Sequence, residues 1–413
     1  IYNSLVNYTF QAADKNSHEI MLFVNHPDGT TQDNTMSEID RFKRDYPDMP
    51  VRVIYKQLPR EQAKMAVIRK YLNDVALYRH QQLGPTASDL ILISNDADLK
   101  GLAPTYIKNF IEKLDGKEGD GMVGQLDWDP ESYIEYPAIH AGTRLFQYLN
   151  LLIWDGKHGD RPSSGANFAF KGSIYAGIGG YQINDMPGAE DVILGQAIRA
   201  ARGGGKTLGY AGARVSRLYT SSRRAIDAWN TGFAPIEQWD RNWGVINDSI
   251  RRHALGEHIT VNYDDPATVE KIKSDIALVA GRTLNYFKDQ DGDLENPTFK
   301  KAMKWLGVEY RINDTGDLEI TDISAFIRGI KQYQKYGVVL QQVKSGKLPR
   351  SALTDLDNIT ERVDTPPSPT NPFRRPTTAT TTGSPTTPVA PTITTTTTPL
   401  TAPVAPTPVT PAP

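Results

Sequence analysis

The chain of 413 residues carries 46 Lys and Arg against 48 Asp and Glu, a formal net charge of -2, so nothing in its overall field draws it toward nucleic acid or an acidic polymer. It has no cysteine, which excludes a disulfide framework, a thiolate zinc site and a cysteine nucleophile and suits a reducing compartment. Its length allows one large domain with additions.

Ile1-Tyr2-Asn3 leads into a predicted helix through Leu5, Tyr8 and Phe10. Glu19 to Asn25 has the apolar run of a buried strand and is closed by the turn residues Pro27-Asp28-Gly29. Met36 to Tyr46 spaces Ile39 and Phe42 for a helix, Val51 to Tyr55 reads as a short strand, and a helix is predicted from about Arg60 to Tyr78. These lead to Ser88-Asp89-Leu90-Ile91-Leu92-Ile93-Ser94-Asn95-Asp96-Ala97-Asp98. Its unbroken apolar run predicts a strand buried on both faces, and it ends in two carboxylates. Strands alternating with helices in this way predict an α/β fold, a mostly parallel sheet flanked by helices with right-handed crossovers.

In open α/β sheets ligands sit beyond the carboxyl ends of the strands, which is where Asp96 and Asp98 fall. Residues two apart on extended backbone point the same way, so both acids can face one ligand. A hard divalent cation suits carboxylate oxygens and keeps positions open for phosphate. The same Asp-x-Asp pattern also arises by chance in surface loops, so the rest of the chain has to support it.

Pro104 to Leu114 reads as a helix and Gly121 to Gly124 as a strand. Trp128 to Trp154 is rich in aromatics without a clear period; such rings suit a core or a sugar-stacking surface. Gly165-Ala166-Asn167-Phe168-Ala169-Phe170 reads as a strand entered through small residues that permit close backbone approach, and Gly179-Gly180-Tyr181 as a tight turn. Gly188-Ala189-Glu190-Asp191 opens a helix that stops at Gly203-Gly204-Gly205. Acids in a first helical turn are favoured by the helix dipole alone, so capping explains this pair as readily as chemistry does. The Gly-Gly-Gly-Lys-Thr that follows is preceded by a helix rather than a strand and is read as a helix stop, not a phosphate loop. Ser222-Arg223-Arg224 follows a strand-like Ala213 to Tyr219; paired arginines suit a diphosphate or an ordinary solvated loop.

Beyond about residue 260 the pattern is helical. Val269, Ile272, Ile276 and Val279 share one face, as do Ile323, Phe326, Ile327 and Ile330. Arg328, Lys331 and Lys335 on the other side of the second helix would suit an anionic membrane surface, while its apolar face suits packing on the main domain. Asp289 to Asp293 lacks the glycine and glutamate positions of a calcium loop. From about Asp364 the chain is almost entirely Thr, Pro, Ala and Ser, a composition that buries too little apolar surface to fold and predicts a disordered tail or linker. No apolar run reaches the roughly 18 residues of a membrane span and no signal peptide is visible. A cytoplasmic protein is therefore expected, with peripheral association at the inner face of the membrane as its closest approach to lipid.

The order of Ile1-Tyr2-Asn3, Asn95-Asp96-Ala97-Asp98, Gly165-Ala166-Asn167, Gly179-Gly180-Tyr181, Gly188-Ala189-Glu190-Asp191 and Ser222-Arg223-Arg224 resembles the GT-A glycosyltransferases, most closely the family-2-like inverting enzymes, over roughly residues 1–225. The resemblance implies a Rossmann-like nucleotide-diphospho-sugar transferase domain over 1–258 with its first strand missing, a mainly helical extension over 259–360 and the tail over 361–413. It implies Mn2+ or Mg2+ held by Asp98 and Asp96, with Asp96 also near the donor ribose. Asp191 would be the general base with Glu190 in support, and Asn3, Asn25, Asn167, Arg223 and Arg224 would contact the nucleotide sugar. The family's acidic residue at the end of the second strand is replaced here by Asn25-His26 followed by Asp28. The implied donor is a UDP- or GDP-linked sugar, the acceptor a glycan, lipid-linked or protein hydroxyl. Two other readings are a sugar nucleotidyltransferase, which would carry a Gly-rich basic loop after its first strand, and a non-catalytic carbohydrate-binding scaffold on a Thr/Pro stalk.

Overall fold

The computed structural model describes residues 1–26, 33–84, 86, 89–115, 119–128, 134–158, 163–183, 190–201, 208–211, 216–220, 259–287, 297–349 and 351–352. All of these belong to one compact unit spanning Ile1–Asn371. The turn at Pro27-Asp28-Gly29, the calcium-loop-like Asp289 to Asp293 and the Thr/Pro-rich tail lie outside the described residues.

The chain opens with helix α1 (Tyr2–Val6), continued by a 3-10 turn to Phe10. Strand β1 (Ile20–Asn25), helix α2 (Thr35–Asp45) and strand β2 (Val51–Lys56) then form a βαβ unit, with β1 and β2 parallel from Ile20 opposite Val51 to Asn25 opposite Lys56. Ile39 and Phe42 are fully buried and seat α2 on these strands, together with Leu5 and Val6 of α1. Helix α3 (Met65–Gln82) leads to β3 (Ile91–Asn95), and β4 (Leu99–Leu102) follows at once.

Helix α4 (Tyr106–Asp115) precedes β5 (Gly121–Val123) and β6 (Leu126–Trp128). The aromatic stretch after them is a long helix, α5 (Pro137–His158). Strand β7 (Asn167–Lys171), helix α6 (Gly172–Gly177), helix α7 (Glu190–Ala201), β8 (Gly209–Tyr210) and β9 (Leu218–Thr220) complete the main part. Gly179 and Gly180 have φ of 77° and 78°, the left-handed backbone that glycine adopts without a Cβ penalty, and they turn the chain out of α6.

The expectation of a mostly parallel sheet is corrected. Strand β7 lies between β3 and β5 and runs antiparallel to both, while β8 joins β5 in parallel. A three-stranded sheet orders β4, β9 and β6, with β4 and β9 antiparallel and β6 and β9 parallel. The sheets are mixed. The expectation of burial on both faces fails for β3, where Leu92 alone is buried, while Phe168, Ala169 and Phe170 of the neighbouring β7 are fully buried; an apolar run carries no information on strand order or direction.

The C-terminal part comprises α8 (Pro266–Phe287), α9 (Pro297–Leu306), the antiparallel hairpin β10 (Glu309–Ile312) and β11 (Leu318–Asp322), and α10 (Ser324–Lys344). Ala141, Leu145, Tyr148 and Leu149 of α5 share one buried core with Ile272, Ile276 and Ala280 of α8, Phe299 and Met303 of α9, and Phe326 and Ile330 of α10. His140 stacks on Phe326 at 5.4 Å between ring centres. At its far end α10 sets Leu340 and Val343 against Tyr219 of β9. Its apolar face is thus occupied by the protein, while Lys331 on the outer side pairs with Asp264 at 2.8 Å.

Candidate active site

Strand β3 is held in place at its carboxyl end by side chains. Ser94 Oγ donates to the carbonyl of Gly165 at 2.7 Å. The Asn95 amide donates to the carbonyl of Ala166 (3.0 Å) and to the hydroxyl of Tyr106 (2.7 Å), and accepts from the hydroxyl of Tyr8 (2.8 Å). Burial pushes the Tyr8 and Tyr106 hydroxyls far above the usual phenol range, so both act as neutral donors. This network fixes the backbone from which Asp96 projects and brings the residues entering β7 beside it.

Opposite that strand end, α3 delivers Arg69. Its side chain is only 10% exposed. Nη2 donates to Asp96 Oδ1 at 2.9 Å, Nη1 donates to Glu190 Oε1 at 2.5 Å, and Nη1 stands 3.8 Å from Asp191 Oδ2. Gly165 makes room for this: a methyl group on its Cα would run into the guanidinium. Asp191 Oδ2 accepts the Gly165 backbone N–H at 2.5 Å, its Oδ1 accepts the N–H of Val192 at 2.8 Å, and its carbonyl accepts from Ser163 Oγ at 2.6 Å. Part of the capping explanation therefore holds, since one Asp191 oxygen binds a first-turn amide. The other oxygen and Glu190 face the end of β3, which capping alone does not require. Tyr181, 1% exposed, faces this cluster, and burial pushes its hydroxyl up to about 12 against the lowering influence of Arg69.

The residues singled out in the sequence divide as follows. Asp96, Glu190 and Asp191 meet around one guanidinium. Asp98 turns toward β9, where Thr220 Oγ1 donates to its Oδ1 at 3.2 Å. Asn25, at the end of β1, accepts from the backbone N–H of Leu58 at 2.8 Å. Asn3 is exposed on α1, its carbonyl accepting from the Asn7 amide. Arg223 and Arg224 lie outside the described residues.

Asn167 is 1% exposed, its amide donates to the carbonyls of Gln125 (2.7 Å) and Ser216 (2.9 Å), and its Oδ1 accepts from Tyr106 (2.9 Å). These bonds tie β7 to the residues leading into β6 and β9. Arg69 is the residue the sequence reading passed over. The signal was present, because Arg69 lies three and seven positions before Leu72 and Ala76, a helical spacing that puts a charge on the inward face of α3.

Among the described residues no group of three or more His, Asp or Glu side chains is arranged to hold a metal ion. Asp96 and Asp98 carry the oxygen donors that Mg2+ or Mn2+ takes, but Asp96 pairs with Arg69 and Asp98 accepts from Thr220 after a turn at Ala97-Asp98, so their sharing of one cation belongs to the proposal below.

No family model matches the chain, and no curated protein matches it. Among solved structures it is similar to the mannosyltransferase PcManGT from Pyrobaculum calidifontis in complex with GDP-Man and Mn2+, with 15% identity, a TM-score of 0.38, and coverage of 88% of this chain and 83% of that one. So loose an overlap carries no weight for fold or chemistry.

Proposed function

We propose that the chain is a glycosyltransferase that moves a sugar from a nucleoside-diphosphate donor to an acceptor hydroxyl with inversion. The observation that carries this reading is the meeting of Asp96, just past the end of β3, with Glu190 and Asp191 at the start of α7, which Arg69 joins although it lies 121 positions before Glu190. Carboxylates gathered at a strand end are what donor binding and acceptor activation both need. The order of motifs along the chain supports the same reading.

In this reading Asp98 and Asp96 would hold Mn2+ or Mg2+, which when bound would supply positive charge where the leaving diphosphate gains negative charge. Arg223 and Arg224 add donors to the same phosphates. Asn3 and Asn25 line the nucleoside end. Asp191 takes the proton from the acceptor hydroxyl as it attacks the anomeric carbon, a contribution of about 100- to 10,000-fold in rate. The Gly165 and Val192 amides hold that carboxylate in one orientation, and Glu190 supports it. Backside attack by the hydroxyl in a single displacement inverts the anomeric centre.

The test is turnover of GDP-mannose and UDP-glucose by the full chain, with and without Mn2+, in the natural protein and in Asp191→Asn. Metal-dependent release of nucleotide that drops at least about 100-fold in Asp191→Asn is the expected result. Absence of turnover with a panel of such donors, alongside retained glycan binding, would point to the scaffold reading.

A further inference from the structure

We infer that Arg69 is a positioning residue that couples the two halves of the site, setting the donor-side acid Asp96 and the acceptor-side acid Glu190 relative to each other. The kinetic part of this inference rests on the glycosyltransferase reading; the bridge itself can be read without any substrate.

Helix α3 runs for 18 residues, and Arg69 is its buried residue. Helices ordinarily dock through aliphatic side chains, and a buried charge costs more than it returns unless each end finds a partner. Here each end does. The planar guanidinium carries five N–H donors in a fixed fork, so Nη2 serves Asp96 while Nη1 serves Glu190 and stands by Asp191. A lysine has the charge without the fork and reaches one carboxylate at a time. The groups facing Arg69 are Asp96 after β3, Glu190 and Asp191 on α7, and Tyr181 after α6, while Lys70 and Asp74 pair with each other on α3 itself. Gly165 completes the arrangement, for it leaves the guanidinium its space and gives its own N–H to Asp191. Orientation of the donor-side acid is thereby transmitted through the guanidinium to the acid pair on α7.

Removal of the bridge leaves each carboxylate to its own rotamer. Misplacement of reacting groups by about 1 Å costs on the order of 100-fold in rate. With GDP-mannose or UDP-glucose and Mn2+, Arg69→Met is therefore expected to lower kcat about 100-fold while donor KM stays within about fivefold, and Arg69→Lys to recover no more than about a tenth of the natural rate. Arg311→Met, which breaks an exposed pair on the C-terminal hairpin, serves as the control that leaves kcat unchanged. A rise in KM with kcat intact, or no effect of either Arg69 variant, would overturn the positioning role.

The substrate-free arm is nitrogen-15 NMR of arginine side chains in the full chain. The Arg69 Nη signal, identified by its loss in Arg69→Lys, is expected to shift in both Asp96→Asn and Glu190→Gln, and a shift in only one or in neither overturns the bridge. Should the natural protein turn over neither donor, the glycosyltransferase reading and the kinetic role fall together, and the NMR arm alone decides whether the guanidinium joins the two acids.

Discussion

Where α3, the end of β3 and the start of α7 meet, a neutral phenol lies beside the charged groups. Tyr181 is 1% exposed near Arg69 and the acids, and burial pushes its hydroxyl up to about 12. The unfolded chain ionises such a phenol near pH 10. Between these values the folded state binds the proton that the unfolded state has released, so stability falls as pH rises. Tyr181 therefore contributes stability that is fully present below about pH 10 and lost on the way to about pH 12, at roughly 1.4 kcal/mol per pH unit. Denaturant unfolding of Tyr181→Phe at pH 9 and pH 11 checks this: the variant should lose about 1.4 kcal/mol less over that interval than the natural protein. Equal losses in the two proteins would mean that the phenol reaches solvent.

At the scale of elements, glycine separates two kinds of position. Gly281 lies inside α8 with nothing near the place a Cβ would take. Gly281→Ala should raise stability by up to about 1 kcal/mol, by lowering the entropy of the unfolded chain. Gly165→Ala, in contrast, drives a methyl into the Arg69 guanidinium and should cost about 1 to 3 kcal/mol together with the turnover proposed for the site. Thermal unfolding of the two variants side by side reads the opposite signs. The same elements show what was legible beforehand. Strand β3 and helix α7 follow from an apolar run ending in acids and an acidic helix start, and the structure has both. Helix α5 is hidden because its Tyr, Phe and Trp residues blur a 3.6-residue period, whereas the β10–β11 hairpin was legible, since Glu309-Tyr310-Arg311-Ile312 and Leu318-Glu319-Ile320 alternate polar and apolar residues on either side of the turn residues Asn313 to Asp317. The internal bonds of Asn167 are not legible in the sequence, since residue type reports hydrogen-bonding capacity but not which groups use it up. Arg69 shows the converse, a charge on an inward helix face whose partners are far away in sequence.

At the scale of the molecule, the decisive feature is that α5, from the middle of the chain, is covered by helices from its C-terminal part. Leu145 and Leu149 of α5 are fully buried in one cluster with Ile276, Phe299, Met303 and Phe326, so α5 and the C-terminal helices share a core at this face. Contacts made between distant segments lose their value together when either segment leaves, which is the condition for cooperative unfolding. Met303 tests this because it is fully buried in α9, distant in sequence from the acid cluster. Met303→Ala removes buried methylene and sulfur contacts and leaves a cavity, at a cost of about 2 to 5 kcal/mol. If the core is shared, that cost lowers the midpoint of one transition, recorded alike by far-ultraviolet circular dichroism and by tryptophan fluorescence. Two separated transitions, only one of them moved by Met303→Ala, would show instead that the helices after residue 259 melt on their own and that α5 does not depend on them.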